Sequence, residues 1–177
     1  VLGIVQGLTE LLPISSSGHL ILVPWVADWE YLETHEAFNQ TFDVALHVGT
    51  LAAVVVYFWE DVLRLVGAWV RSVRRRRIEQ SDERVAWFVA VATVPAAAIG
   101  ALGEDAIVGH LGEPWQIAIF LAVFGVVLWL ADRREPTRRM SDLGIGTAVA
   151  VGFAQSLALA PGVSRSGITI TAARFLG

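Results

Sequence analysis

Apolar residues run in three long blocks, at roughly residues 42 to 59 (FDVALHVGTLAAVVVYFW), 85 to 103 (VAWFVAVATVPAAAIGALG) and 115 to 131 (WQIAIFLAVFGVVLWLA). At about 1.5 Å rise per residue, a helix of that length crosses a hydrocarbon layer of about 30 Å. The pattern therefore predicts three membrane-crossing helices. Pro95 lies inside the second and should kink it, which membrane helices tolerate.

Two further apolar stretches, 1 to 27 and 143 to 177, are interrupted near their middles, at PISSSG and APGVSRSG. Such an interruption leaves backbone N–H and C=O groups without helical partners. Lipid cannot satisfy them, so a break of this kind survives only where it is buried in protein or lines a wet cavity. Both stretches read as re-entrant helical hairpins.

Composition supports a membrane protein: 55% of the 177 residues are hydrophobic and 17% charged, against roughly 45 to 50% and 25% in soluble domains. Of the seven tryptophans, Trp25, Trp29, Trp59, Trp115 and Trp129 fall at or near the ends of apolar runs, where indole favours the headgroup level. The net charge of −4 says little about partners, because position relative to the bilayer matters more than the sum. All thirteen basic residues are arginine, and no cysteine is present to build a disulfide or a thiolate metal site. Neither a signal peptide nor an initiator methionine is visible. The last residues stop inside a helical pattern, so 1–177 is expected to be one integral membrane domain lacking C-terminal helices.

Loop charges set an orientation. The arginine-rich loops RSVRRRRIEQSDER (71 to 84) and DRREPTRRMSD (132 to 142) fall on one face, which the positive-inside rule makes cytoplasmic. The loops 28 to 40 and 103 to 114 contain no basic residue and fall on the other. The run Arg74 to Arg77 is thus an orientation anchor and not a nucleic-acid site. The first hairpin then enters from the outer face and the second from the cytoplasmic face, with their tips meeting near the midplane.

An internal repeat fits this arrangement. Displacing the chain by 149 residues aligns GIVQGLTELLPISSSG (3 to 18) with GFAQSLALAPGVSRSG (152 to 167), with identities that include Gln6/Gln155, Ser15/Ser164, Ser17/Ser166 and Gly18/Gly167. Related hairpins entering from opposite faces form an inverted repeat with a binding site at its interface. The repeats differ where chemistry resides: Glu10, Ser16 and His19 in the first stand opposite Leu159, Arg165 and Ile168 in the second.

A helix starting after each tip, capped by serine, offers free N–H groups and a partial positive charge of roughly half a unit, suited to phosphate. Arg165 adds a full charge and a planar fork. An arginine near the bilayer centre costs about 2.5 to 3.5 kcal/mol on insertion scales, which makes a role in function the default. The plainer alternative is a structural salt bridge to Glu10. Gln6 and Glu10 share a helix face at a spacing of four, and Ser16 and His19, three apart, suit a nucleophile and an acid or base. A histidine on an oily helix is otherwise usually a hydrogen-bonded core residue. Glu10 beside a phosphate must be protonated or share a cation, and oxygen ligands would suit Mg²⁺ or Ca²⁺. Asp43 and His47 begin the first span on its outer side, as a headgroup-solvated pair or facing the site from above. His35 and His110 lie in loops.

QGLTELLPISSSGHL, FDVALHVGTLAAV and PGVSRSGITI resemble, in order, the three motif regions of the undecaprenyl-diphosphatase family, also called bacitracin-resistance proteins. The resemblance runs over essentially the whole chain. It implies an all-α, polytopic membrane fold of two inverted repeats, each with a re-entrant hairpin. It also implies removal of the terminal phosphate from undecaprenyl diphosphate, regenerating the lipid carrier used for cell-wall synthesis at the plasma membrane, through a site opening to the outer face. Carried onto this sequence, Gln6 and Glu10 match its glutamate motif, Ser16 the candidate nucleophile, His19 the motif histidine and Arg165 the phosphate-binding arginine. Ser164, Ser166 and Thr169 match polar neighbours, and Ser15 and Ser17 join the tip as substrate-binding candidates. Gln6 stands where many members carry a carboxylate, leaving Glu10 the acid, base or metal duty. Attack by an activated water stays open beside attack by Ser16, as does a homodimer. The rival from another class is a transporter or flippase for an anionic substrate, because inverted repeats with broken helices also serve alternating access.

Overall fold

The computed structural model describes residues 1–29, 36–138, 142 and 144–177, and all regular structure among them is helical. The helices are α1 (Leu2–Leu11), α2 (Ser16–Val26), α3 (Glu36–Tyr57), α4 (Trp59–Arg75), α5 (Ser81–His110), α6 (Pro114–Asp132), α7 (Ile145–Ser156) and α8 (Arg165–Leu176), with a 3₁₀ turn at Leu157–Leu159 between the last two. His35 lies outside the described residues.

The second and third predicted spans are α5, over Ser81–Gly103, and α6, each long and apolar enough to cross a membrane. Helix α5 continues through Pro95 without a break. The first is α3, whose apolar part Thr41–Tyr57 meets the same test only jointly with α4, from which it is bent by 81°. The bend is at Phe58, where φ is −99° and ψ 24°.

Two expected loops are shorter than the sequence suggests. The arginine-rich stretch 71 to 84 is helical up to Arg75 and again from Ser81. Glu60 and Asp61 in the first turn of α4 and Arg74 and Arg75 in its last turn match the helix dipole. Arg76 then ends it in the left-handed region at φ +52°, with the amides of Arg76 and Arg77 donating to the carbonyls of Val73 and Ser72. The stretch 103 to 114 is helical up to His110, so His110 closes a helix and is not a loop residue. Helix α6 can start at once because Pro114 occupies its first turn and Glu113 and Gln116 form a reciprocal capping box.

Helix α5 is the central support, packing on α4 and α7. The Trp87 indole N–H donates to Ser72 Oγ at 2.9 Å, with the Trp69 and Trp87 rings 5.9 Å apart. At the α5–α7 crossing, a Cβ on Gly152 would lie 2.5 Å from the Ala92 carbonyl oxygen and 3.0 Å from Pro95 Cγ. Only glycine allows that approach. Helix α1 packs on α2, α7 on α8, and α6 lies against both α2 and α8. Arg174 ties α8 to the end of α6 through an ion pair with Asp132 at 3.0 Å.

Candidate active site at the hairpin tips

The two interrupted stretches are hairpins, and their tips touch. A Cβ on Gly18 would lie 3.2 Å from Gly162 Cα, and one on Gly167 would lie 3.1 Å from the Pro13 carbonyl oxygen. Gly162, at φ +92°, would place a Cβ 2.8 Å from the Ile117 carbonyl oxygen. Ile117 of α6 is fully buried and also contacts Gly18. Each tip has therefore given up side-chain volume so that backbones can approach, and α6 carries the residue on which both rest.

Both tips restart their helix in the same way. Ser15 caps α2 by accepting the Gly18 amide at 3.4 Å, and Ser164 caps α8 by accepting the Gly167 amide at 3.1 Å. The Ser15 and Ser17 hydroxyls are 3.3 Å apart, and those of Ser164 and Ser166 3.1 Å apart. The four serines that align in the repeat thus occupy matching local positions. The capping serines differ in backbone: Ser15 sits at φ +65°, Ser164 at φ −66°. In each first turn the amides ahead of the intrahelical ladder face a serine-rich surface.

On the first hairpin, Glu10 is the hub. Its Oε2 accepts from Ser16 Oγ at 2.5 Å and from Gln6 Nε2 at 3.0 Å. Because a carboxylate only accepts, the Gln6 amide nitrogen must face it. That leaves Gln6 Oε1 buried with no partner among the described residues, and Gln6 itself is fully buried. The same nitrogen lies 3.4 Å from Thr50 Oγ1 on α3, whose hydroxyl donates to the carbonyls of Leu46 and His47.

His19 does not bond Ser16 among the described residues. Its Nδ1 lies 2.8 Å from the Ser15 carbonyl oxygen, so Nδ1 carries the proton and Nε2 is left for another partner. The Thr169 hydroxyl donates to the helix carbonyls of Arg165 and Ser166, at 2.9 and 3.0 Å. Arg165 begins α8 with an exposed side chain, and the alternative of a structural salt bridge to Glu10 is not made among the described residues. His47 Nδ1 donates to the Asp43 carbonyl at 2.7 Å, while Asp43 Oδ1 is buried without a partner among the described residues.

Two recesses flank the tips. One, of about 280 Å³, is lined by Pro13, Ile14, His19, Gly162, Ser164 and Gly167, with Leu121 and Phe124 of α6 behind them. The other, of about 490 Å³, holds Glu10 and Thr50 among apolar walls from Leu11, Val54, Tyr57 and Phe58. His19 and Glu10 thus line different recesses. For a cation, the oxygens at hand are the Glu10 carboxylate and the unpartnered Gln6 Oε1. Among the described residues no three His, Cys, Asp or Glu side chains converge, so such an ion would need further oxygens from water or substrate. That is a hard-cation donor set, suited to Mg²⁺ or Ca²⁺.

Thr50 and Ile117 were not legible as part of this site. Thr50 carries a motif neighbour, HVGT, but its meeting with Gln6 is set by how α3 crosses α1. Ile117 is one of many aliphatic residues in α6, and nothing in its own sequence context marks it.

Known proteins resemble the chain over its whole length. The family profile described as "Bacitracin resistance protein BacA" matches residues 1–177. A protein named "Undecaprenyl-diphosphatase" from Desulforudis audaxviator (strain MP104C) is 49% identical over 178 residues, covering all of this chain and 64% of that protein. Proteins of the same name from Teredinibacter turnerae (strain ATCC 39867 / T7901) and Rubrobacter xylanophilus (strain DSM 9941 / JCM 11954 / NBRC 16129 / PRD-1) are each 47% identical over the whole chain and 65 and 64% of their own lengths. The chain thus spans a little under two thirds of these relatives.

Proposed function

As the chain belongs to the bacitracin resistance protein BacA family, we propose that it is the site-bearing part of a membrane phosphatase that converts undecaprenyl diphosphate to undecaprenyl phosphate and inorganic phosphate. The relatives' shared name supports this reading. The observation that carries it is the docking of two serine-capped tips, one with a hydroxyl bonded to a carboxylate and the other with an arginine that has no carboxylate partner among the described residues.

In this mechanism the terminal phosphate lies between the tips, held by Arg165, the first-turn amides and the hydroxyls of Ser15, Ser17, Ser164 and Ser166. Thr169, committed to its own helix, shapes the cradle. Ser16 Oγ attacks the terminal phosphorus and its proton passes to Glu10. The anhydride P–O bond breaks and undecaprenyl phosphate leaves. Glu10 gives that proton to the leaving undecaprenyl phosphate; water then attacks the phosphoserine, Glu10 accepts the water proton and returns it to Ser16 Oγ as the serine–phosphate bond breaks and inorganic phosphate leaves, and His19 Nε2 exchanges protons from the neighbouring recess. The apolar walls beside Glu10 suit the first isoprene units of the tail. Positioning and charge stabilisation dominate, as in phosphoryl transfer generally. Glu10 and Gln6 Oε1 are the groups that would hold Mg²⁺ or Ca²⁺, which supplies charge neutralisation to phosphate oxygens.

The hairpins are re-entrant and inverted, and the cradle opens to the outer face of the plasma membrane; the arginine-rich connection and the sequence repeat support this. The test is phosphate release from undecaprenyl diphosphate by the full-length protein in detergent. Release is expected from the wild type and not from Ser16→Ala or Arg165→Ala. Folded wild-type protein that binds the lipid without releasing phosphate would point to transport instead.

A further inference from the structure

Helix α4 has three distinct faces. Val62, Leu65, Ala68 and Ser72 turn toward the α5 side, with Ala68 and Ser72 buried. Trp59, Leu63, Val66, Val70 and Val73, spaced by four, three, four and three, share an arc of about 80° at 3.6 residues per turn. They are unpartnered among the described residues, each between 41 and 54% exposed. The third face carries Arg64, Arg71, Arg74 and Arg75, continued by Arg76 and Arg77.

Charge and geometry together identify what covers the apolar stripe. Arg64 is neutralised by Asp61 at 2.7 Å and Asp82 at 3.6 Å. Arg71, Arg74, Arg75, Arg76 and Arg77 make no salt bridge among the described residues. Arg71 and Arg75 lie in the field of Glu83, whose Oε2 is already occupied by the amides of Glu79 and Gln80. The helix leaves α3 at 81°; with α3 crossing the bilayer as its apolar run predicts, that bend turns the α4 axis from the bilayer normal toward the bilayer plane. A helix in that plane, apolar on one side and arginine-rich on the next, matches the boundary between acyl chains and headgroups. Long arginine stems reach the headgroup level from such a position.

We propose that α4 lies in the membrane interface with Trp59, Leu63, Val66, Val70 and Val73 in the acyl region, and that Arg71 and Arg74 to Arg77 bind anionic phospholipid headgroups. The partner is an anionic leaflet, because juxtamembrane arginines respond to surface potential and a neutral leaflet offers none. This inference is independent of the phosphatase reading.

Residues 1–177 contain no cysteine, so single spin labels can be placed there on the full-length protein in nanodiscs once any cysteine outside these residues is replaced. Labels at Val66→Cys and Val70→Cys are expected to collide with oxygen and be shielded from a water-soluble nickel reagent, and a label at Arg74→Cys to show the reverse. Spin-labelled phosphatidylglycerol should be retained several-fold over spin-labelled phosphatidylcholine. Replacing Arg71 and Arg74 to Arg77 by Gln should abolish that preference, and Lys at the same positions should keep it. Nickel access at Val66 or Val70 would show a solvated helix, and shielding from both reagents would show a protein partner on the stripe. Either outcome overturns the proposal, as does a lipid preference that is absent or survives the Gln substitutions.

Discussion

The two hairpin tips share one capping pattern and divide the chemistry. Ser15 and Ser164 cap the two restarted helices through Gly18 and Gly167, and both tips press glycine backbone against a neighbour. Beyond that frame they part. The first tip has a hydroxyl, a carboxylate and an imidazole within its own hairpin; the second has an arginine where the first has Ser16. On the proposed mechanism, the comparison teaches that the repeat keeps what allows close docking and varies what would touch a phosphate. A cradle built from two unlike halves can set a nucleophile against a cation without the two neutralising each other, and Arg165 is not drawn to Glu10 among the described residues.

The largest effect expected from disturbing this division is at Ser16. Ser16→Ala should lower phosphate release by more than about 10³-fold, as for loss of a nucleophile, with melting temperature little changed. Arg165→Ala follows, at about 2.7 to 4 kcal/mol of transition-state binding by analogy with one oxyanion donor; Arg165→Lys should recover part of it, since charge returns without the planar fork. Both are read from kcat/KM on a polyprenyl diphosphate.

Smaller effects test the shared frame. Gly162→Ala puts a methyl 2.8 Å from the Ile117 carbonyl oxygen at φ +92°, and should cost about 1 to 3 kcal/mol in stability, measured as a fall in the unfolding midpoint. Ser164→Ala removes a cap and should cost about 1 kcal/mol. Thr50→Val should be the mildest: Gln6 loses one 3.4 Å contact, so KM and kcat should move by a few-fold at most while Gln6→Ala moves them further.

How much of this was legible before the fold was known varies by element. Helices α5 and α6 are readable because uninterrupted apolar runs of that length have few other uses. The tips are readable because proline, glycine and serine break both runs at corresponding places. Helix α4 is not, because its arginines dominate the local composition and hide the stripe from Trp59 to Val73. The extension of α5 to His110 is hidden for a related reason, since charged residues and glycines after Gly103 resemble a loop. Within the site, Gln6 meets Glu10 as their spacing of four predicts, whereas Ser16 bonds Glu10, which no spacing pointed to, and the His19 bond goes to the Ser15 carbonyl and not to Ser16. Spacing along a helix places two side chains near one another but does not choose their hydrogen-bond partners.

That both tips grip one phosphate is tested most directly by a double-mutant cycle on binding. The ligand is a non-hydrolysable methylene-diphosphonate analogue of the prenyl diphosphate, and the four full-length proteins are wild type, Ser16→Ala, Arg165→Ala and the double variant. Contact with a common phosphate is expected to give a coupling energy of roughly 0.5 to 3 kcal/mol. Additive effects, agreeing within about 0.3 to 0.5 kcal/mol, would show that Ser16 and Arg165 act on separate ligands and would contradict the shared cradle.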